Sequence, residues 1–115
     1  MIAVIFEVWP ASGRKDDYLA IAARLKSDLE TMDGFISIER FQSLTDANKL
    51  LSLSFWRDED AVRAWRNHAE HRSSQAAGRG GIFARYRLRI ASVVRDYGMD
   101  ERAQAPEDSR LYHHA

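Results

Sequence analysis

Eight residues near the start of the chain, IAVIFEVW (2–9), leave few architectures open. They are β-branched and aromatic, and Pro10 closes the run, which reads as a strand. Ile2, Val4, Phe6 and Val8 alternate with Ala3, Ile5, Glu7 and Trp9, and both sets are costly to expose to water. The strand therefore needs cover on both faces. A chain of 115 residues makes one compact domain. Its own helices can cover one face, and the other calls for a second subunit.

The rest of the chain supplies those helices. After a turn at Ser12-Gly13, residues Tyr18, Ile21, Ala22, Leu25, Leu29 and Met32 fall at helical spacing and form one apolar stripe, and Asp33-Gly34 stops the helix. FISIERFQSL (35–44) and KLLSLSFW (49–56) read as strands joined by a polar connection. In the second, Leu51, Leu53 and Phe55 point one way and Ser52, Ser54 and Trp56 the other. A face of two serines and a tryptophan either meets water or lines a cavity. Asp58 is placed to cap a second helix, with Glu59 and Asp60 favourable in its first turn. That helix is expected to reach about Ala77, with room for a kink on the way, and to break at GRGG (78–81). YRLRIASVVRDY (86–97) is the last strand, and Gly98–Ala115 is a polar tail or an arm that crosses to a partner.

The order strand, helix, strand, strand, helix, strand is the α+β, ferredoxin-like split βαβ pattern: an antiparallel sheet with both helices on one face. Residues 1–97 make the domain and 98–115 the tail. Tyr86, Leu88, Ile90 and Val94 of the last strand are expected to add to the apolar surface on the helix-free face, so the chain is expected to be a homodimer.

Composition narrows the functional classes. Lysine plus arginine and aspartate plus glutamate number 17 each, which lacks the basic excess of a nucleic-acid binder. The absence of cysteine removes disulfides, thiolate metal sites and cysteine nucleophiles. The opening apolar run is too short for a signal segment or a membrane span, so a cytoplasmic protein is expected. His68 and His71 are three apart but lack a third ligand, and no metal site is expected. Glu7, in an apolar strand, needs a partner, for which Arg87 and Arg89 are candidates. His113 and His114 in the tail carry no expected role.

The elements and motifs together resemble the antibiotic biosynthesis monooxygenase family of the dimeric α+β barrel superfamily. The resemblance spans roughly residues 1–97 and rests on MIAVIFEVWPASGR, MDGFISIERFQSL, LLSLSFWRDEDAVRAW and the final strand. That family includes cofactor-independent oxygenases of phenolic polyketides, quinol monooxygenases and haem-degrading enzymes. Trp65 matches a tryptophan of the haem-degrading members, but Gln75 stands where their haem-ligating histidine falls, which demotes that activity. The resemblance then implies a monooxygenase without cofactor that oxidises a small phenol, quinol or anthrone with molecular oxygen. Such chemistry needs a site that holds a planar ring, accepts a proton and excludes water. His71 is the expected proton acceptor, with His68 as the other histidine in reach, and Arg40 or Arg79 steadies the oxyanion. Trp56 and Trp65 form flat walls, although core packing is the favoured role of Trp65. Ser52, Ser54 and Gln75 contact the substrate. The alternative is a non-catalytic dimeric barrel that binds a small apolar ligand.

Overall fold

The computed structural model describes residues 1–68, 72, 76 and 78–113, with the backbone alone at 78, 79, 112 and 113. The expectations for His71 and Gln75 fall outside the described residues, as does the side chain of Arg79. The chain forms β1 (Ile2–Pro10), α1 (Lys15–Thr31), β2 (Phe35–Gln42), β3 (Leu50–Trp56), α2 (Glu59–Arg66), β4 (Phe83–Ser92) and α3 (Glu107–His113). The strands make one sheet in the order β2-β3-β1-β4, with every neighbouring pair antiparallel. This is the ferredoxin-like α+β arrangement expected from the sequence. Among the described residues no helix is long and apolar enough to cross a membrane.

Register decides which side chains meet the helices, because residues directly opposed in an antiparallel sheet share a face. Ile2, Val4, Phe6 and Val8 oppose Trp56, Ser54, Ser52 and Leu50. Ile38 and Arg40 of β2 extend that row by opposing Ser54 and Ser52. α1 lays Tyr18, Ala22, Leu25 and Leu29 on this face, and α2 adds Ala61, Val62 and Trp65. The result is two apolar clusters on the helix side. One joins Ile2, Leu25, Leu29, Trp56, Ala61, Val62 and Trp65; the other joins Val8, Tyr18, Leu50 and Ile82.

One expectation is corrected. Tyr86, Leu88 and Ile90 do not belong to the helix-free face: they oppose Val8, Phe6 and Val4 and so share the helix side. The helix-free face of β4 presents Arg85, Arg87, Arg89 and Ala91 instead, and Val94 lies beyond the strand. The second helix is interrupted at Asn67, and helical backbone is present again at Arg72 and Ala76, within the span expected to reach about Ala77. Asn67 ends α2, and its side-chain Nδ2 donates to the Arg63 carbonyl at 2.9 Å. A local side-chain bond of this kind competes with helix continuation.

Candidate active site

Between the sheet and the two helices lies a cavity of about 250 Å³. It takes walls from both clusters, because neither reaches far enough along the sheet to fill the space over Ser52 and Ser54. A strand with large side chains here would close it; the sequence places two serines instead. Val4, Phe6, Ile38, Leu25 and Leu29 supply much of its apolar lining. On the β4 side Tyr86, Leu88 and Ile90 line it while remaining 46%, 48% and 45% exposed, which leaves that side open.

The two tryptophans come together as flat walls. Trp56 is almost wholly buried, stacked with Trp65 at 6.4 Å between centroids and edge-on to Phe35 at 5.3 Å. Its indole Nε1 donates to the Ser54 hydroxyl at 2.9 Å, so Ser54 has a structural partner inside the site. Trp65 belongs to the core cluster and lines the cavity as well. Core packing and ligand contact are thus compatible roles for one side chain. Ser52 is buried and lines the cavity.

Arg40 reaches the same space from β2. Its Nε is buried with no hydrogen-bond partner among the described residues. Beside it stands Tyr18, buried on α1, a cavity residue that sequence reasoning treated only as part of an apolar stripe. Burial raises the Tyr18 hydroxyl above its ordinary 10.0, and the neighbouring Arg40 charge offsets part of that rise. Tyr18 is therefore protonated at neutral pH; its oxygen accepts from the Arg40 guanidinium, and its O–H can donate. Arg66, on the exposed side of α2, is a second cavity residue that the sequence did not single out.

His68 is not brought into this lining. It stacks on the Trp65 ring at 5.5 Å, and its Nδ1 is buried without a partner among the described residues. The described lining contains no aspartate, glutamate or histidine. Its polar side chains at neutral pH are the donors Tyr18, Arg40 and Arg66, the serine hydroxyls, and the indoles. Among the described residues no three histidine, cysteine, aspartate or glutamate side chains gather where a metal ion could be held.

Glu7 lies on the opposite, helix-free face. It pairs with Arg89 at 2.8 Å, one of its two expected partners, and also with Lys49 at 2.9 Å.

Comparison with known proteins agrees with this architecture. The model of the antibiotic biosynthesis monooxygenase family matches residues 1–77. A jasmonate monooxygenase of Pyricularia oryzae is 45% identical over 94 residues, which cover 82% of this chain and 44% of that protein. The chain thus spans less than half the length of this relative. An uncharacterised Bacillus subtilis protein, YqjZ, is 32% identical over 79 residues, 68% of this chain and 67% of that one. Protein Rv0793 of Mycobacterium tuberculosis has a similar fold, with a TM-score of 0.77 at 16% identity, covering 84% of this chain and 98% of its own. A Deinococcus radiodurans structure assigned to antibiotic biosynthesis monooxygenases also gives a TM-score of 0.77, at 8% identity, covering 86% of this chain and 98% of its own. By the family match and the identity to these two relatives, the chain belongs to the antibiotic biosynthesis monooxygenase family.

Proposed function

We propose that the protein is a monooxygenase that oxidises a small, largely apolar molecule inside the cavity between sheet and helices. The observation that carries this reading is the cavity itself, walled by Trp56 and Trp65 and supplied with Tyr18, Arg40 and Ser52 as donors. Flat apolar walls suit a ring, and donors facing a site of developing negative charge stabilise an anion. In the reaction the substrate loses a proton, and its anion passes electrons to molecular oxygen. For an activated CH₂, as in an anthrone, one oxygen atom ends as the new carbonyl and the other leaves as water. No further reductant enters that balance.

The substrate class extends beyond the phenols, quinols and anthrones of the sequence reading. The 45% identical relative is named for jasmonate, an alicyclic keto acid. The proton acceptor assigned by the sequence, His71, remains part of the proposal; Gln75 and Arg79 remain substrate contacts in it. Oxygen consumption with 1,8-dihydroxyanthrone, menadiol and jasmonic acid, above the rate without protein, tests the activity. Label from ¹⁸O₂ should appear in the product, and His71→Ala should slow turnover by about 100-fold or more with the melting temperature unchanged. No oxygen uptake with any of the three contradicts the reading.

The second reading, a dimeric barrel that binds an apolar ligand without chemistry, is favoured by the lack of an acceptor base in the described lining. Ligand binding without oxygen uptake would select it.

We also infer that two copies pack through their helix-free faces. Ile5, Leu51, Leu53, Phe41 and Phe55 lie there, opposite the helix side in register, and none is fully buried. Burying such a patch against its own copy is the ordinary solution.

A further inference from the structure

The polar groups of the cavity are unbalanced in charge. Its described lining has two guanidinium groups, Arg40 and Arg66, and no carboxylate. Elsewhere some charged side chains are paired: Glu7 lies between Lys49 and Arg89, and Arg57 between Asp33 and Asp58. Neither Arg40 nor Arg66 forms an ion pair among the described residues. Arg40 is the sharper case, because its Nε is buried and unpaired. Arg40 is half-buried, and a buried N–H left unsatisfied on a cation is costly. Nothing the described lining offers it carries negative charge: Tyr18 and Ser52 beside it are neutral hydroxyls.

We propose that the cavity takes a molecule that arrives already ionised, a compact apolar body bearing one carboxylate, and that Arg40 is the residue that binds this carboxylate. The inference rests on the cavity being the substrate site, and it names the substrate class and the specificity-determining side chain. A guanidinium fork matches a carboxylate in shape and charge. The Tyr18 hydroxyl, protonated at neutral pH, adds a donor at the same end. A phosphate fits poorly, since it needs more donors than this apolar cavity presents and no glycine-rich turn or helix N-terminus among its lining residues supplies them. With the carboxylate held over β2, the apolar body extends toward Trp56, Trp65 and the β4 side. Arg66, exposed on α2 and also part of the lining, favours the approach of an anion. Arg40 then acts as an anchor before any chemistry and sets which molecules enter.

The test compares acids with their esters by calorimetric titration of the 115-residue protein near pH 7.5, where the acids are ionised. Jasmonic acid with methyl jasmonate, and 1-naphthylacetic acid with its methyl ester, are the probes. Each acid should bind at least about tenfold more tightly than its ester, the scale of one charge-assisted hydrogen bond. Arg40→Met should bring the acid to the ester's affinity and leave the ester's within about twofold, while Arg40→Lys keeps part of the preference, as a point charge without the fork. Equal affinity for acid and ester in the unmodified protein overturns the proposal, and so does a preference that survives Arg40→Met. Should Arg40→Met fail to fold, the unmodified protein and Arg40→Lys still decide the matter. Oxygen uptake separates this from the activity: an ester consumed as readily as its acid removes the anchor and keeps the oxygenase. An acid bound with preference but never oxidised keeps the anchor and removes the oxygenase.

Discussion

At the scale of single residues, Gly34 connects the two turns that frame the site. Its φ is +85°, its carbonyl accepts the Arg57 N–H at 2.8 Å, and a Cβ there would lie 2.6 Å from that of Ala61. Arg57 completes the junction by donating twice to Asp33 at 3.1 Å and once to Asp58 at 3.1 Å. Gly34→Ala should cost about 2 kcal/mol or more in urea unfolding, from backbone strain and the clash together. Gly13→Ala is the control, with φ +74° and open space around it, and should cost about 1 kcal/mol. Equal costs would show that the contact with Ala61 adds nothing. Glu7 offers a pH test. The hydrogen bond from Lys49, aided by the Arg89 charge, holds its carboxyl below the ordinary 4.5. The folded value lies below the unfolded one, so the contribution to stability is complete above 4.5 and is lost as pH falls through the lowered value. Glu7→Gln should flatten the stability profile in that acidic range, and an unchanged profile would remove Glu7 as a contributor. The sequence showed that Glu7 needed a partner. It did not show Lys49, because the residue leading into β3 reaches Glu7 only through the β1–β3 pairing. Tyr18 was missed for a related reason: helical spacing marks it as core, and only the register of β2 brings Arg40 to its hydroxyl.

At the scale of elements, the apolar periods placed α1 and the first three strands within a few residues, since each buries one clear stripe or row. α2 begins as its capping signal requires: the Asp58 side chain accepts from the Ala61 N–H at 2.9 Å. Asp58→Ala should destabilise the protein by about 1 kcal/mol, measured by thermal or urea unfolding, and a change near zero would mean that solvent satisfies the helix start. The position of the interruption at Asn67 was not legible, because the composition is helical on both sides of it and helical backbone returns at Arg72 and Ala76. The limits of β4 were set by its partner and not by its own residues. It begins at Phe83, opposite Pro10, and stops at Ser92, opposite Ile2, with one further bond from the Val93 N–H to the Met1 carbonyl at 3.0 Å. Val93 and Val94 favour strand by type yet find no strand there. The same register moved Tyr86, Leu88 and Ile90 to the cavity, where their apolar character serves the site. The alternation Ser52, Ser54, Trp56 proved informative from the sequence alone, since two serines on a buried face leave space that larger residues would fill.

At the scale of the whole molecule, the chain is extended for its size. Its radius of gyration is 16.7 Å, against about 13 Å for a compact domain of this length. Among the described residues, the chain beyond β4 runs without a strand to α3, a short helix against which no described element packs extensively, and Leu111 is exposed. We propose that this segment is an arm that crosses to a partner. Analytical ultracentrifugation should find a dimer at micromolar concentration, and deletion of residues 98–115 should weaken it; a monomer, or an unchanged dissociation constant after deletion, would contradict the two claims respectively. The central claim is that oxidation takes place inside the cavity. Ala22 is buried on α1 and lines that cavity, so Ala22→Phe places a ring in the space assigned to the substrate while leaving the sheet untouched. The decisive measurement is the rate of ¹⁸O₂ incorporation by this variant and by the unmodified protein, on whichever of 1,8-dihydroxyanthrone, menadiol and jasmonic acid the protein oxidises. The account predicts a folded variant, by circular dichroism and melting temperature, whose turnover has fallen to background. A folded variant that turns over at the unmodified rate would contradict it.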